Sequence, residues 1–318
     1  MILITEDVWG AEFESLGRHF PIRFEPDLWK SPEKIRAALK DAQAIVVRNR
    51  TRVDGSIMDA GKNLRVISRA GVGLDNIDIE AANARGIAVS AALGINAVSV
   101  AEHVVGLALS LLRYTVQLDA ELRRGEWNRI PGNELRGKRW GFLGFGATAR
   151  ATAKILRGFD LDFSAFDPYV NPDSEQAIEL NVRMMNFEAV MANSDIISIH
   201  LPSNPKTRDL INSQSIAKMK PGAYLINVGR GEVINERDLA AGLRAGIVAG
   251  AALDVRAEEP PVLGDLEKFA NVILTPHIAG VTKESQQAIS KVLTEDIELA
   301  LTGQQLRAAV GSIKMLSA

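Results

Sequence analysis

Short apolar runs alternate with amphipathic stretches along the whole chain. The runs MILIT, AIVV, RVIS, IAVS, WGFLGF, DFSAF, IISIH, YLINV, AGAALDV and VILTP are separated by segments of helical periodicity. Near-continuous hydrophobic runs, as opposed to strict alternation, mark strands buried on both faces. The pattern therefore predicts α/β units around parallel sheets. One long helix is expected from about Val98 to Arg124, almost entirely apolar in its first half. A helix greasy on all sides must be covered on all sides. It would lie centrally between two domains or pack against a second subunit as well. The last helical stretch, Lys283 to Leu301, is expected to return and cap the N-terminal domain. Boundaries near residues 96 and 282 give one domain of residues 1–96 and 283–318 and another of 97–282.

Length supports the division, because 318 residues exceed what one domain usually holds. Lys plus Arg number 37 and Asp plus Glu 39, so the net charge is −2. That balance lacks the basic excess demanded by nucleic acid or anionic lipid, and neither is expected as a partner. The chain opens MILITEDVW, with acids where a signal peptide carries its basic start. Its longest charge-free apolar run, Val104 to Leu112, is about half a membrane span. A cytoplasmic protein is expected. Cysteine is absent, which removes disulfides, thiolate nucleophiles and Cys-ligated zinc together. The four histidines, His19, His103, His200 and His277, include no pair at helix spacing, so no metal site is expected. Chemistry must come from histidine, carboxylate, arginine or a cofactor.

The stretch WGFLGFGATARATAKIL reads as a strand, a glycine turn and a helix. Gly144 permits the tight turn, Gly146 lets backbone approach a pyrophosphate, and Ala149 takes the third position of GxGxxG. Helix N-terminal amides would face the phosphates. Such turns also occur for packing alone. The context that favours a dinucleotide is the second strand, DFSAF, which is followed by Asp167, placed to accept hydrogen bonds from ribose hydroxyls. Between Gly158 and Val182 there is no Lys or Arg, whereas Asp160, Asp162, Asp167, Asp173, Glu175 and Glu179 are all acidic. A 2′-phosphate would meet repulsion there, so NAD is expected over NADP.

Three polar residues stand beyond apolar strands in the second half: Arg230 after YLINVG, Glu259 after GAALDVRAE, and His277 after NVILTP. Each has an ordinary structural reading, as a strand-capping cation, a solvated loop acid or a turn histidine, and Glu258 competes with Glu259. Together they form the set that hydride transfer to a 2-oxo acid needs. A guanidinium offers a planar fork for the carboxylate. An imidazole titrates near working pH, and a neighbouring carboxylate fixes its tautomer.

Beyond these residues, SRAGVGLDNID, SVAEH, ELRGKRWGFLGFG, FDPY, IHLP, INVGRGEVINERDLAAGL, EEPP and VILTPHIAG span almost the whole chain. In them the sequence resembles the NAD-dependent D-2-hydroxyacid dehydrogenases. The resemblance implies a Rossmann-type NAD-binding domain inserted into a flavodoxin-like α/β substrate domain, with the active site in the cleft and a homodimer formed through the NAD-binding domain. It implies catalytic roles for Arg230, Glu259 and His277, choosing Glu259 because that residue directly precedes the proline. Cofactor contacts are implied at Val72, Gly144, Gly146, Ala147, Thr148, Asp167, His200, Leu201, Pro202, Val228, Gly229, Arg230, Asp254, His277 and Gly280. Backbone amides at Val72 and Gly73 would bind the substrate carboxylate with Arg230. Arg48 and Arg69 stand where the phosphoglycerate dehydrogenase subgroup directs basic residues at a substrate phosphate. The activity implied is hydride transfer between nicotinamide and C2 of a small D-2-hydroxy acid such as 3-phosphoglycerate, or its 2-oxo counterpart, such as hydroxypyruvate or glyoxylate. The rivals are an NAD-sensing, corepressor-like interaction protein and a hydrolase of related fold that keeps NAD bound. Three places depart from the family's habit: Ala147 and Thr148 in the glycine turn, Arg256 where an aromatic is common, and SAALG before Asn96.

Overall fold

The computed structural model describes residues 1–71 and 73–314. The chain forms two compact units, residues 1–96 with 281–318, and residues 97–280.

The first unit is built on strands β1 (Ile2–Ile4), β2 (Ile22–Phe24), β3 (Ala44–Val47), β4 (Val66–Arg69) and β5 (Ala88–Ala91). These lie parallel in the order 2-1-3-4-5, the flavodoxin-like arrangement. The continuous apolar runs are explained by a core on each face of the sheet. Ile2, Ile4, Val46 and Val66 point to one side with Phe13, Ile289, Leu293 and Ile297; Leu3, Ile45, Val47 and Ile67 point to the other with Leu28, Leu39, Ile57 and Met58. Helix Lys283–Leu301 has the span expected from its periodicity. A capping box of Thr282 and Ser285 starts it, and it packs on β4, β5 and helix Ala11–Leu16.

The second unit carries β6 (Arg139–Leu143), β7 (Asp162–Phe166), β8 (Val182–Met184), β9 (Ile196–Ile199), β10 (Ala223–Asn227), β11 (Val248–Leu253) and β12 (Val272–Leu274). All are parallel, in the order β12-β11-β10-β9-β6-β7-β8. This is the Rossmann order extended by one strand, and its direction reverses between β6 and β9. A last strand, β13 (Ala309–Val310), returns to the first unit and pairs antiparallel with β5.

The long apolar helix expected over Val98–Arg124 is two helices. Ala97–Leu112 ends where Tyr114 takes a left-handed backbone, φ 52°, and Thr115–Arg123 leaves at 62° to it. Its apolar face explains the first part: Val100, Val104, Leu107, Ala108 and Leu111 are buried in the core that Trp140, Phe142, Ala149 and Ala153 share. The second helix has no buried residue. Past residue 112 the continuous apolar pattern ends, and the exposed second helix follows. Strands β2, β8 and β13 carry no clear pattern in the sequence, being short and at or beside sheet edges, where few positions are buried.

Candidate active site

In the second unit, every candidate residue follows the carboxyl end of a parallel strand. Gly144, Gly146, Ala147 and Thr148 follow β6, Asp167 follows β7, and His200, Leu201 and Pro202 follow β9; Val228, Gly229 and Arg230 follow β10, Asp254 follows β11, and His277 and Gly280 follow β12. Parallel strands bring these positions to one edge of one sheet, where open α/β folds receive ligands.

The glycine turn begins at Gly144, whose φ of 86° suits glycine. A Cβ there would lie 3.1 Å from the His200 carbonyl oxygen. Gly146 is the N-cap of helix Ala147–Leu156. The Asp167 carboxylate holds the turn: Oδ2 accepts from the Phe145 amide at 2.9 Å, and Oδ1 from the Tyr169 amide at 2.9 Å. Two bonds leave acceptor capacity on this carboxylate for hydroxyl donors. Beneath the turn, Thr148 Oγ1 meets His200 Nδ1 at 3.0 Å, and His200 Nε2 meets Ser198 Oγ at 3.0 Å. Burial pushes the imidazole pKa down to about 3, so His200 is a neutral bracket. The turn's open backbone, the helix N-terminus and the acid at the end of β7 fit a dinucleotide lacking a 2′-phosphate.

The three polar residues are built onto adjoining loops. After β10, buried Asn227 folds the chain back: its Nδ2 donates to the Arg230 carbonyl at 3.0 Å and its Oδ1 accepts from the Gly229 amide at 3.1 Å. Gly231 then lies flat on the loop after β11, where a Cβ would fall 1.9 Å from the Arg256 carbonyl carbon. Only glycine permits that approach. On the other side of Arg230 a Cβ at Gly229 would fall 2.5 Å from the Leu201 carbonyl oxygen, so each glycine answers a close backbone contact of its own. The loop beneath carries Glu259, whose Oε2 is 2.8 Å from His277 Nδ1 and whose Oε1 accepts from the Arg256 amide at 3.2 Å. Burial raises the Glu259 pKa, but the His277 hydrogen bond, the His277 charge, the Arg256 amide and the Arg230 charge outweigh it. The carboxyl is held below its usual range. Arg230, Glu259 and His277 are thus one electrostatic group.

His277 has a left-handed backbone, φ 55°. Asp254, 1% exposed, holds it there. Its carbonyl accepts from the His277 amide at 2.8 Å, and its carboxylate accepts from the Ile278 and Ala279 amides and the Thr275 hydroxyl at 2.9, 2.8 and 2.6 Å. His103 Nε2 approaches the same group, 3.2 Å from Thr275 Oγ1. His103 and Thr275 escaped the sequence reading; a lone histidine on an apolar helix face, in SVAEH, was the available signal.

In the first unit, Arg48 follows β3, Arg69 ends β4, and Gly73 lies in the loop after it; Val72 lies outside the described residues. The loop of Arg48 is set by Glu6, whose carboxylate accepts from the amides of Arg48, Asn49, Arg50 and Thr51 at 2.8, 3.3, 3.0 and 2.9 Å. Glu6 also escaped the sequence reading, although an acid directly after a buried strand was its signal. Arg69 is buried within its strand.

Comparison with known proteins identifies the family. The chain is 40% identical over 312 residues to the D-3-phosphoglycerate dehydrogenase of Archaeoglobus fulgidus, covering 97% of this chain and 59% of that relative. The chain thus spans about three-fifths of that relative's length. It is 38% identical to the glyoxylate reductase of Thermofilum pendens, over 88% of this chain and 84% of the relative. Among solved structures, a glyoxylate reductase from Paecilomyes thermophila superposes with a TM-score of 0.87 at 29% identity, covering 97% of both chains. Residues 105–279 match the NAD-binding domain of the D-isomer specific 2-hydroxyacid dehydrogenases. The chain belongs to that family.

Proposed function

We propose that the protein moves hydride between NAD and C2 of a small D-2-hydroxy acid. The observation that carries this reading is the 2.8 Å contact between His277 and Glu259, with the Arg230 charge acting on the same carboxylate. NAD, when bound, supplies or accepts the hydride. Arg230 offers its fork to the substrate carboxylate and polarises the neighbouring carbonyl. His277, its Nδ1 engaged by Glu259, moves the proton of the C2 oxygen through Nε2. Glu259 fixes the orientation and tautomer of the ring. Asp167 meets the ribose hydroxyls, and the amides from Gly146 to Thr148 meet the phosphates. Ala147 leaves that turn without a cation.

Relatives named D-3-phosphoglycerate dehydrogenase and glyoxylate reductase frame the substrate class. Arg48, Arg69, Val72 and Gly73 are the proposed substrate contacts of the first unit. The proposed assembly is a homodimer through the second unit. Supporting it, Val116, Leu122 and Trp127 are 50, 55 and 79% exposed along one stretch of chain, apolar side chains that a second subunit would cover. A monomeric mass on size exclusion at micromolar protein would end that part. The proposed compartment is the cytoplasm, in keeping with a chain free of cysteine. Among the described residues no single helix is long and apolar enough to cross a membrane.

The test is NADH oxidation with glyoxylate, hydroxypyruvate and phosphohydroxypyruvate. Arg230→Ala should raise KM and lower kcat, with a combined loss of roughly 2–5 kcal/mol in transition-state binding. His277→Asn should abolish turnover while NADH still binds by fluorescence titration. An interaction protein or an NAD-retaining hydrolase would consume no NADH with any of the three acids, and that result would overturn the proposal.

A further inference from the structure

Where the resemblance expects an aromatic, the chain has Arg256, and the structure buries it. The side chain is 8% exposed and its guanidinium is shared by two acids. Nε and Nη2 donate to Glu236 Oε1 and Oε2 at 2.9 and 2.8 Å, fork on fork, and Nη1 donates to Glu267 Oε1 at 2.6 Å. Each acid also accepts one amide of the loop that follows β11: Ala257 to Glu236 at 3.0 Å, and Gly264 to Glu267 at 2.7 Å. The Arg256 amide itself donates to Glu259. Both ends of the segment 256–264 are therefore tied to one guanidinium, and Glu259 stands between them. Glu236 opens helix Glu236–Arg244, and Glu267 lies in a short turn at Leu266–Lys268, so the ties run to ordered elements.

Stability alone is a poor reason for this set. A buried arginine with two carboxylates loses much hydration, and a packed apolar side chain would hold the loop as firmly. What the charged set adds is direction, because a planar fork fixes the angles of what it binds. We propose that Arg256, clamped by Glu236 and Glu267, is a positioning residue that orients the Glu259 carboxylate toward His277. This rests on the dehydrogenase reading, in which His277 and Glu259 are the proton-transfer pair.

Releasing the clamp lets Glu259 drift from His277 and from the Arg256 amide. Of the charged groups facing it, His277 and Arg230 then act from farther away, while burial still favours the neutral acid. Glu259 then takes up a proton at higher pH. In Arg256→Met, kcat/KM should fall about ten-fold, since displacing a catalytic group by a fraction of an ångström has effects of this order. The acid limb of its pH profile should move to higher pH, and hydrogen exchange across 257–264 should quicken. Arg256→Lys, which lacks the fork, should recover only part of each effect. Should Arg256→Met fail to fold, Glu267→Gln breaks one tie without leaving an unpaired cation, and should shift the limb in the same direction. Quicker exchange with an unmoved acid limb would overturn the proposal, leaving Arg256 a structural brace; so would no change in either. Absence of turnover in the wild type would overturn the dehydrogenase reading instead. The loop's exchange would then still decide whether Arg256 clamps it, quicker exchange upholding the clamp and unchanged exchange refuting it.

Discussion

Asp254 shows how a single buried acid can set the backbone of a histidine proposed to be catalytic. Its carboxylate receives the Thr275 hydroxyl and the Ile278 and Ala279 amides, closing the turn that puts His277 into a left-handed backbone. Burial pushes its pKa up, but hydrogen bonds from His103, Thr275, Ile278 and Ala279 prevail and hold it below the usual value. A carboxyl depressed in the folded state stabilises the fold above its unfolded pKa, about 4 for aspartate. That contribution is lost as pH falls through the lower folded value. Asp254→Asn replaces an acceptor with a group that is half donor, so at neutral pH it should cost about 1.5–3 kcal/mol and lower kcat through a displaced His277. Urea unfolding at pH 7 and at a series of values below 4 checks both parts. The variant should be less stable at neutrality and should lose less on acidification, and a variant with the wild-type acid slope would refute the account. Arg230, Glu259 and His277 could be proposed from sequence because each follows an apolar strand, with Glu259 chosen over Glu258 by the family resemblance. The 2.8 Å contact between Glu259 and His277 is what the structure adds. The work of Asp254 was not legible in the sequence, because its partners lie 21 to 25 positions away and His103 lies in another helix.

Among the elements, the strands buried at every position were all announced by the sequence, together with the half-buried β7 and β12. β3 and β9 are buried at every position and read as strands from composition alone. β8 and β13 are three and two residues long, so hydrophobic periodicity has no room to show. The break at Tyr114 was hidden for a different reason: neither proline nor glycine marks it, and the change lies in what the following residues pack against. The glycine turn was read correctly as strand, turn and helix, and its conformation gives a graded test. Gly144→Ala places a side chain at φ 86° and close to the His200 carbonyl, at a cost of about 1–2 kcal/mol for the left-handed backbone alone. NADH affinity should fall as the turn distorts. Gly158→Ala, where an added Cβ meets nothing within 4 Å, should leave affinity and stability unchanged. Paired fluorescence titrations compare them, and equal loss in both variants would remove the special role given to Gly144.

At the scale of the molecule, the two units differ in how the chain builds them. The second is continuous and closes its sheet with residues 97–280 alone, whereas the first takes its helix Lys283–Leu301 and strand β13 from the far end of the chain. No local pattern reveals that β13 joins β5, since the pair joins positions near 90 and 309 and is held partly by Asp296, which accepts from Ser90 Oγ and from the Arg307 and Ala308 amides. The construction makes a prediction about truncation. A chain ending at Gly280 would strip Ile289, Leu293 and Ile297 from the sheet face formed by Ile2, Ile4, Val46 and Val66. At roughly 1.5–3 kcal/mol for each buried aliphatic side chain, this loss rivals the whole stability of an ordinary domain, about 5–15 kcal/mol. The first unit should unfold, and reduction of 2-oxo acids should vanish with its proposed substrate contacts. The second unit keeps both of its own core clusters, its glycine turn and the Arg230, Glu259 and His277 group, so NADH should bind within about two-fold of the intact chain. Limited proteolysis followed by fluorescence titration measures both outcomes: rapid cleavage confined to residues 1–96 with NADH binding intact is expected, while loss of binding together with the first unit would show that the second does not stand alone.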